Sequence, residues 1–265
     1  MVFTLLGAAF SVAQAQREPP VDSLIANFIE RGTLSSWGPY QLFIGCPALK
    51  DWQERGFRQL ASADLSWQRT NELAGAWAGA LRDCSDRRLE QWYFEHLNAA
   101  IRRGEGERMY RFWVALSIAD SPPIRDYLRG VMLDVSMPES GRNGAGTVLF
   151  ERFGEEERLR EYLRAFETMR LPSEVAWGQT DILLKKDPDR LLREVGRLVS
   201  ANPALGEQTA FTSVVESSVR FASAEARRGL GEALESGLER AGGNVSARSR
   251  TRLEGTAQWL KRPPR

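Results

Sequence analysis

One histidine and two cysteines in 265 residues exclude several chemistries at the outset. His96 has no Cys or second His near it in sequence, and neither Cys46 nor Cys84 sits in a C-x-x-C motif. With three such residues and none of the usual spacings, a four-ligand Cys/His zinc set is excluded and the other usual sets nearly so. The H-E-x-x-H of zinc hydrolases is absent, as is a nucleophile elbow around any serine. GRNGAG (141–146) is rich in glycine but lacks the Lys-Ser/Thr of a phosphate loop and follows no strand; it is expected to be an inter-helix turn. No apolar run approaches the roughly 20 residues that a permanent membrane helix needs. A net charge of +1 gives no whole-surface attraction to nucleic acid or anionic lipid. Only the C-terminal stretch RSRTRLEGTAQWLKRPPR is lopsidedly basic, as a solvated helix end often is. Sustained apolar/polar alternation is missing too, so no strand is expected and the chain reads as all-α.

What is present begins with the first twenty residues. Val2 to Phe10 form an uncharged apolar run, followed by Ala13-Gln14-Ala15 and then by polar residues and Pro19-Pro20. Small residues at both ends of A-x-A suit signal peptidase, which predicts a signal peptide over 1–15 with Gln16 as the first mature residue. No Lys or Arg precedes the apolar run, where a signal peptide normally carries one. Export would place the protein in the periplasm or outside the cell, with no transmembrane segment after processing. An oxidising compartment lets Cys46 and Cys84 close as a disulfide; two separate buried thiols are the alternative.

One phrase then returns along the chain. SDRRLEQWYFEHL starts at Ser85, SPPIRDYLRGVML at Ser121, GEEERLREYLRAF at Gly154, DPDRLLREVGRLV at Asp187 and SAEARRGLGEALE at Ser223. The first apolar position falls at Leu89, Ile124, Leu159, Leu192 and Ala226, and four residues later stand Tyr93, Leu128, Leu163, Gly196 and Leu230. That spacing marks one face of a helix. Ser or Asp opens most of these helices, and Pro122 and Pro188 sit where a missing N–H costs nothing. A second helix is predicted in each unit, on Met109, Phe112, Trp113 and Leu116; Val148, Leu149 and Phe153; Trp177, Leu183 and Leu184; Phe211, Val214 and Val215; and Leu253, Ala257 and Leu260. Breaks at RRGEGE, MPESGRNG, RLPSE, ANPALGE and RAGGN separate the two helices. Two earlier segments, DWQERGFRQL and SWQRTNELAGAWAGALRDC, give a pair in similar register. Leu159, Leu163, Phe166, Leu192 and Leu198 are expected in the core.

Helix pairs with a period of about 34 residues cannot bury their apolar faces alone and must stack. The pattern resembles HEAT-type repeats, with tetratricopeptide repeats as second choice through ILLKKDPDRLLREVGRLVSANP (182–203). No unit carries the W-x-x-L-G-x-x-Y opening of the latter family: Gly178 and Thr180 follow Trp177 where Leu-Gly would be expected. RTRLEGTAQWLKR bears a weaker likeness to the superhelical C-terminal domain of zinc aminopeptidases, from which no activity transfers without the catalytic motif. The resemblance covers 51–262 and implies a right-handed α-solenoid of stacked antiparallel helix pairs, preceded by an N-terminal segment or cap over 16–50.

Solenoids generally offer an extended concave surface to a protein or peptide. The first functional expectation is therefore a non-enzymatic binding scaffold in the bacterial envelope, without cofactor and without nucleic acid, its partner lying along the second helices. The alternative is an envelope enzyme or accessory domain acting on peptidoglycan or glycans, because Glu216-Ser217 matches the E-S dipeptide of lytic transglycosylases. The Gly-Leu-Met-Gln stretch expected downstream of that dipeptide is replaced by SAEARRGLGEALE. Glu155 to Glu157, Asp187 and Asp189 stand at helix starts, where they offset the helix dipole. Trp92, Tyr93 and Phe94 occupy three successive helix positions that span about 200° of the surface, so at least one ring is expected to leave the core and offer an aromatic contact. The favoured reading of the aromatics as a group is packing, with large rings in the seams between stacked pairs.

Overall fold

The computed structural model describes residues 21–31, 42, 50–84 and 86–262, and among them it is all-helical with no strand. Thirteen α-helices follow one another among the described residues. They are α1 (Val21–Arg31), α2 (Asp51–Ser62), α3 (Trp67–Asp83), α4 (Arg87–Arg103) and α5 (Gly106–Ile118). Next come α6 (Pro122–Leu133), α7 (Glu139–Phe150), α8 (Glu155–Glu167), α9 (Ser173–Lys186) and α10 (Pro188–Ala201). A short 3₁₀ segment, Pro203–Glu207, leads to α11 (Thr209–Phe221), α12 (Ala224–Ala241) and α13 (Ala247–Lys261). The expected signal peptide, Gln16 and Cys46 lie outside the described residues.

The recurring phrase is the start of α4, α6, α8, α10 and α12, and its punctuation is cap chemistry. Ser121, Asp187 and Ser223 each accept a hydrogen bond from the backbone N–H three residues on, satisfying a donor that the helix leaves free. Asp86 caps α4 by accepting from the Arg88 N–H, two residues on. Gly104, at the end of α4, adopts φ +68°, a conformation open to glycine, and reverses the chain into α5.

Two sets of helices result: first helices α2, α4, α6, α8, α10 and α12, and second helices α3, α5, α7, α9, α11 and α13. Along the second set, α3 touches α5, α5 touches α7, α7 touches α9 and α9 touches α11. Along the first set, α8 touches α10 and α10 packs extensively on α12, which in turn carries α13. Between the sets lies a continuous apolar core. Its N-terminal part is aromatic: fully buried Trp77 stacks on Phe112 with centroids 5.1 Å apart and meets the edge of Tyr93 at 5.5 Å. Leu159, Phe166, Leu192 and Leu198 are buried as expected, whereas Leu163 is half-buried.

GRNGAG is not a turn. It lies inside α7, which already begins at Glu139. Its glycines serve close packing instead. A Cβ on Gly144 would meet the Trp113 indole at 2.7 Å, and one on Gly146 would meet Val175 at 2.6 Å. Glycine therefore weakens the local helix preference but lets α5 and α9 close over α7.

Candidate binding face

The first helices are bound to one another by polar links spaced at one repeat. Glu54 on α2 accepts from Arg88 on α4 at 3.2 Å. Arg129 on α6 grips Glu161 on α8 with two bonds of 2.6 and 3.1 Å, and Arg125 reaches Glu157 at 3.3 Å. Arg190 on α10 forks onto Glu156, and Ser223 donates to Asp189 at 3.2 Å. Partners in this series stand 32 to 34 residues apart in the chain. The acids that open these helices thus act between helices as well as on the dipole. The Arg190 bond holds the Glu156 carboxyl below its ordinary pKa, and a bond from Arg125 does the same for Asp120.

Second helices are joined differently, by small hydroxyls in the interior. Ser213 on α11 donates to the carbonyl of Ala210, so its own oxygen must accept from Thr180 of α9 at 2.9 Å. Thr180 in turn accepts from the Tyr162 hydroxyl of α8 at 2.7 Å. Burial pushes the Tyr162 phenol up to about 12. Ser217 continues the series by donating to Asp181 at 2.9 Å.

With their buried sides used in this way, the second helices leave stripes at i, i+3 and i+4 facing solvent. On α5 these are Tyr110 and Ser117 with half-buried Val114 between; on α7, Ser140 and Thr147; on α9, Trp177 and Lys185 with half-buried Asp181 between and exposed Ile182 beside them; on α11, Thr212, Glu216 and Val219. Large apolar side chains stand in these stripes. Trp67, the first residue of α3, is 64% exposed and stacks on Tyr110 with centroids 4.6 Å apart.

The sequence-predicted sites fare differently. Trp92 and Tyr93 are buried, not exposed, and Phe94 is half-buried. Trp92 and Tyr93 fall on the buried stripe of Leu89 and Leu97: the Trp92 ring meets Phe57 of α2 and Trp77 of α3, and the Tyr93 hydroxyl donates to the Phe112 carbonyl of α5 at 2.6 Å. Phe94 stacks flat on Tyr127 of α6, 3.8 Å away, so its ring fills the seam between two first helices. Trp177, assigned to an apolar line, is exposed because Ala176, Thr180, Leu183 and Leu184 take the inward stripe of α9. Position within the helix phase was the available signal: Trp67 and Trp177 both stand off the buried period.

Cys84 caps the end of α3 and is buried, and no cysteine among the described residues is free. His96 is half-buried, with Nδ1 placed 2.8 Å from the Trp92 carbonyl; burial lowers its pKa, and that bond opposes the shift. Glu216 faces solvent on α11, next to buried Ser217. Among the described residues no cluster of His, Cys, Asp and Glu could hold a metal ion, and no helix is long and apolar enough to cross a membrane. No protein-family model, no curated protein and no solved structure matches the chain.

Proposed function

We propose that this chain is a non-enzymatic scaffold that binds a protein or peptide in the bacterial envelope, on HEAT-like helical pairs stacked as a right-handed α-solenoid. The observation that carries the reading is the placement of exposed rings. Trp67, Tyr110 and Trp177 sit on second helices, while the first helices spend their polar groups on one another. Rings of this size bury much area with few rotors to freeze, which is why Trp and Tyr dominate binding hot spots. Ser140 and Thr147 are exposed on α7 and put small polar side chains between these rings. Export through residues 1–15 and a Cys46–Cys84 disulfide belong to the same proposal, since both suit the envelope.

Capture from envelope extract tests it. Lys185→Glu on α9 together with Val219→Glu on α11 should reduce partner capture and leave the melting temperature unchanged. Glu216→Gln and His96→Ala should leave the biological activity intact. A glycan- or peptide-cleaving activity that disappears with Glu216→Gln would overturn the scaffold and establish the glycan-active alternative.

A further inference from the structure

Arg111 on α5 is 3% exposed, yet no carboxylate among the described residues pairs with it. Its Nη1 makes two long contacts, 3.4 Å each, to the carbonyls of Leu60 and Ala61 at the end of α2, and its Nε has no partner. A guanidinium taken out of water usually has an anion beside it, because desolvation of an unpaired charge is expensive. Here burial is the first cause lowering the Arg111 pKa, and the neighbouring Arg108 adds to it.

This side chain lines a pocket of about 160 Å³ together with Leu65, Trp67, Thr70, Glu107 and Tyr110. The stacked Trp67–Tyr110 pair belongs to the same wall, and Trp67 is the most exposed large ring of the second helices. A water occupies about 30 Å³ of liquid, so the space takes a carboxylate with the few carbons that bear it and little more. The planar fork of arginine matches a carboxylate with two donors.

We propose that this pocket is a carboxylate-binding site: Arg111 receives a single carboxylate of a peptide, and the Trp67–Tyr110 pair receives the apolar side chain or ring beside it. Glu107, exposed in the first turn of α5, sets the charge limit. Its own carboxylate in the pocket wall disfavours a phosphate dianion and tolerates one negative charge. The peptide source of that carboxylate rests on the scaffold reading; the site itself rests on Arg111, the pocket and the ring pair.

Three small probes decide it on the full chain: acetyl-Pro-Ala with a free carboxyl terminus, the same dipeptide as its amide, and acetyl-Pro-Asp amide. Binding is followed by calorimetry and by the Trp67 indole N–H resonance, identified by its loss in Trp67→Phe. At least one carboxylate probe should bind and shift that resonance, the neutral amide should not, and the two acids separate a chain terminus from an acidic side chain. Arg111→Gln should abolish binding. Arg111 is buried, so two exposed positions give an independent readout. Trp67→Ala should weaken binding about fivefold, the scale of one aromatic contact. Glu107→Gln should tighten it about threefold by removing a nearby like charge. Absence of binding by both acids, equal binding of the amide, or weaker binding in Glu107→Gln would each overturn the site. Such a failure would leave capture by the α9 and α11 surface untouched, so the two readings can fail separately.

Discussion

The two sets of helices share an apolar inner face, but they present different outer surfaces. First helices carry Arg and acid that meet across neighbours, as in Arg129–Glu161 and Arg190–Glu156. Second helices bring polar groups inward, as Thr180 and Ser213 do beside Tyr162 of α8, and leave Trp67, Tyr110 and Trp177 outside. A charged surface tied to itself has few free hydrogen-bonding groups for a partner. An aromatic surface tied to nothing keeps its desolvation energy available for binding. This asymmetry is what separates a candidate binding face from one that holds the array together.

The largest effect that could break the comparison lies in two tryptophans. Trp77→Ala empties the aromatic centre and should destabilise the protein by about 3–5 kcal/mol, measured by urea unfolding. Trp177→Ala, on a half-open ring, should cost about 1 kcal/mol or less. An equal loss at both positions would mean that Trp177 is structural and not held in reserve for a partner.

Smaller differences grade the first helices themselves. The Glu161 side chain is 9% exposed and holds Arg129 with two bonds, whereas Glu156 is 66% exposed. Glu161→Ala should therefore cost about 2 kcal/mol, because a charged hydrogen-bonded group is left unpaired. Glu156→Ala should cost about 0.5 kcal/mol or less, as exposed ion pairs do. Chemical denaturation of the two variants side by side measures the contrast. Equal costs would show that burial does not rank these links.

Titration sharpens the same division with modest shifts in melting temperature. Bonds from Arg58 to Glu54, from Arg125 to Asp120 and from Arg190 to Glu156 lower these carboxyls in the folded state. The unfolded chain then binds more protons, so their contribution is complete above the unfolded pKa near 4 and is lost as pH falls through the lower folded values. Tyr162 runs the other way. Its folded pKa, raised to about 12 by burial, makes its contribution complete below the unfolded value near 10 and lost as pH rises through the folded one. The acid limb should shrink in about 1 M salt, where the Debye length is about 3 Å, and in Asp120→Asn. The alkaline limb should shrink in Tyr162→Phe and keep its salt response. An alkaline limb unchanged in that variant would remove Tyr162 from the account.

Much of the architecture was legible because helix starts are local chemistry. Ser121, Asp187 and Ser223 could be read as caps from the sequence, and they are caps. The inward faces were legible for the same reason, through spacing such as Leu159 with Phe166 and Leu192 with Leu198. Tertiary approach was not. GRNGAG carries the glycine of a turn, but Trp113 and Val175 close on it and make it helix. Trp92-Tyr93-Phe94 looked too wide for one core face, yet Trp92 packs on Phe57 of α2 and Trp77 of α3, Tyr93 on Phe112 of α5 and Phe94 on Tyr127 of α6. Arg111 gave no local sign at all, since its pocket is built by residues from the end of α2 to the second turn of α5.

The sharpest test of the two-surface account is site-specific photo-crosslinking in the intact cell envelope. A photoreactive residue replaces Trp177 on α9 or, in a second strain, Glu156 on α8. The account predicts a discrete crosslinked product from position 177 and none above background from position 156, with both proteins folded to the wild-type melting temperature. A product of equal yield from position 156, or from that position alone, would contradict the assignment of the binding face to the second helices.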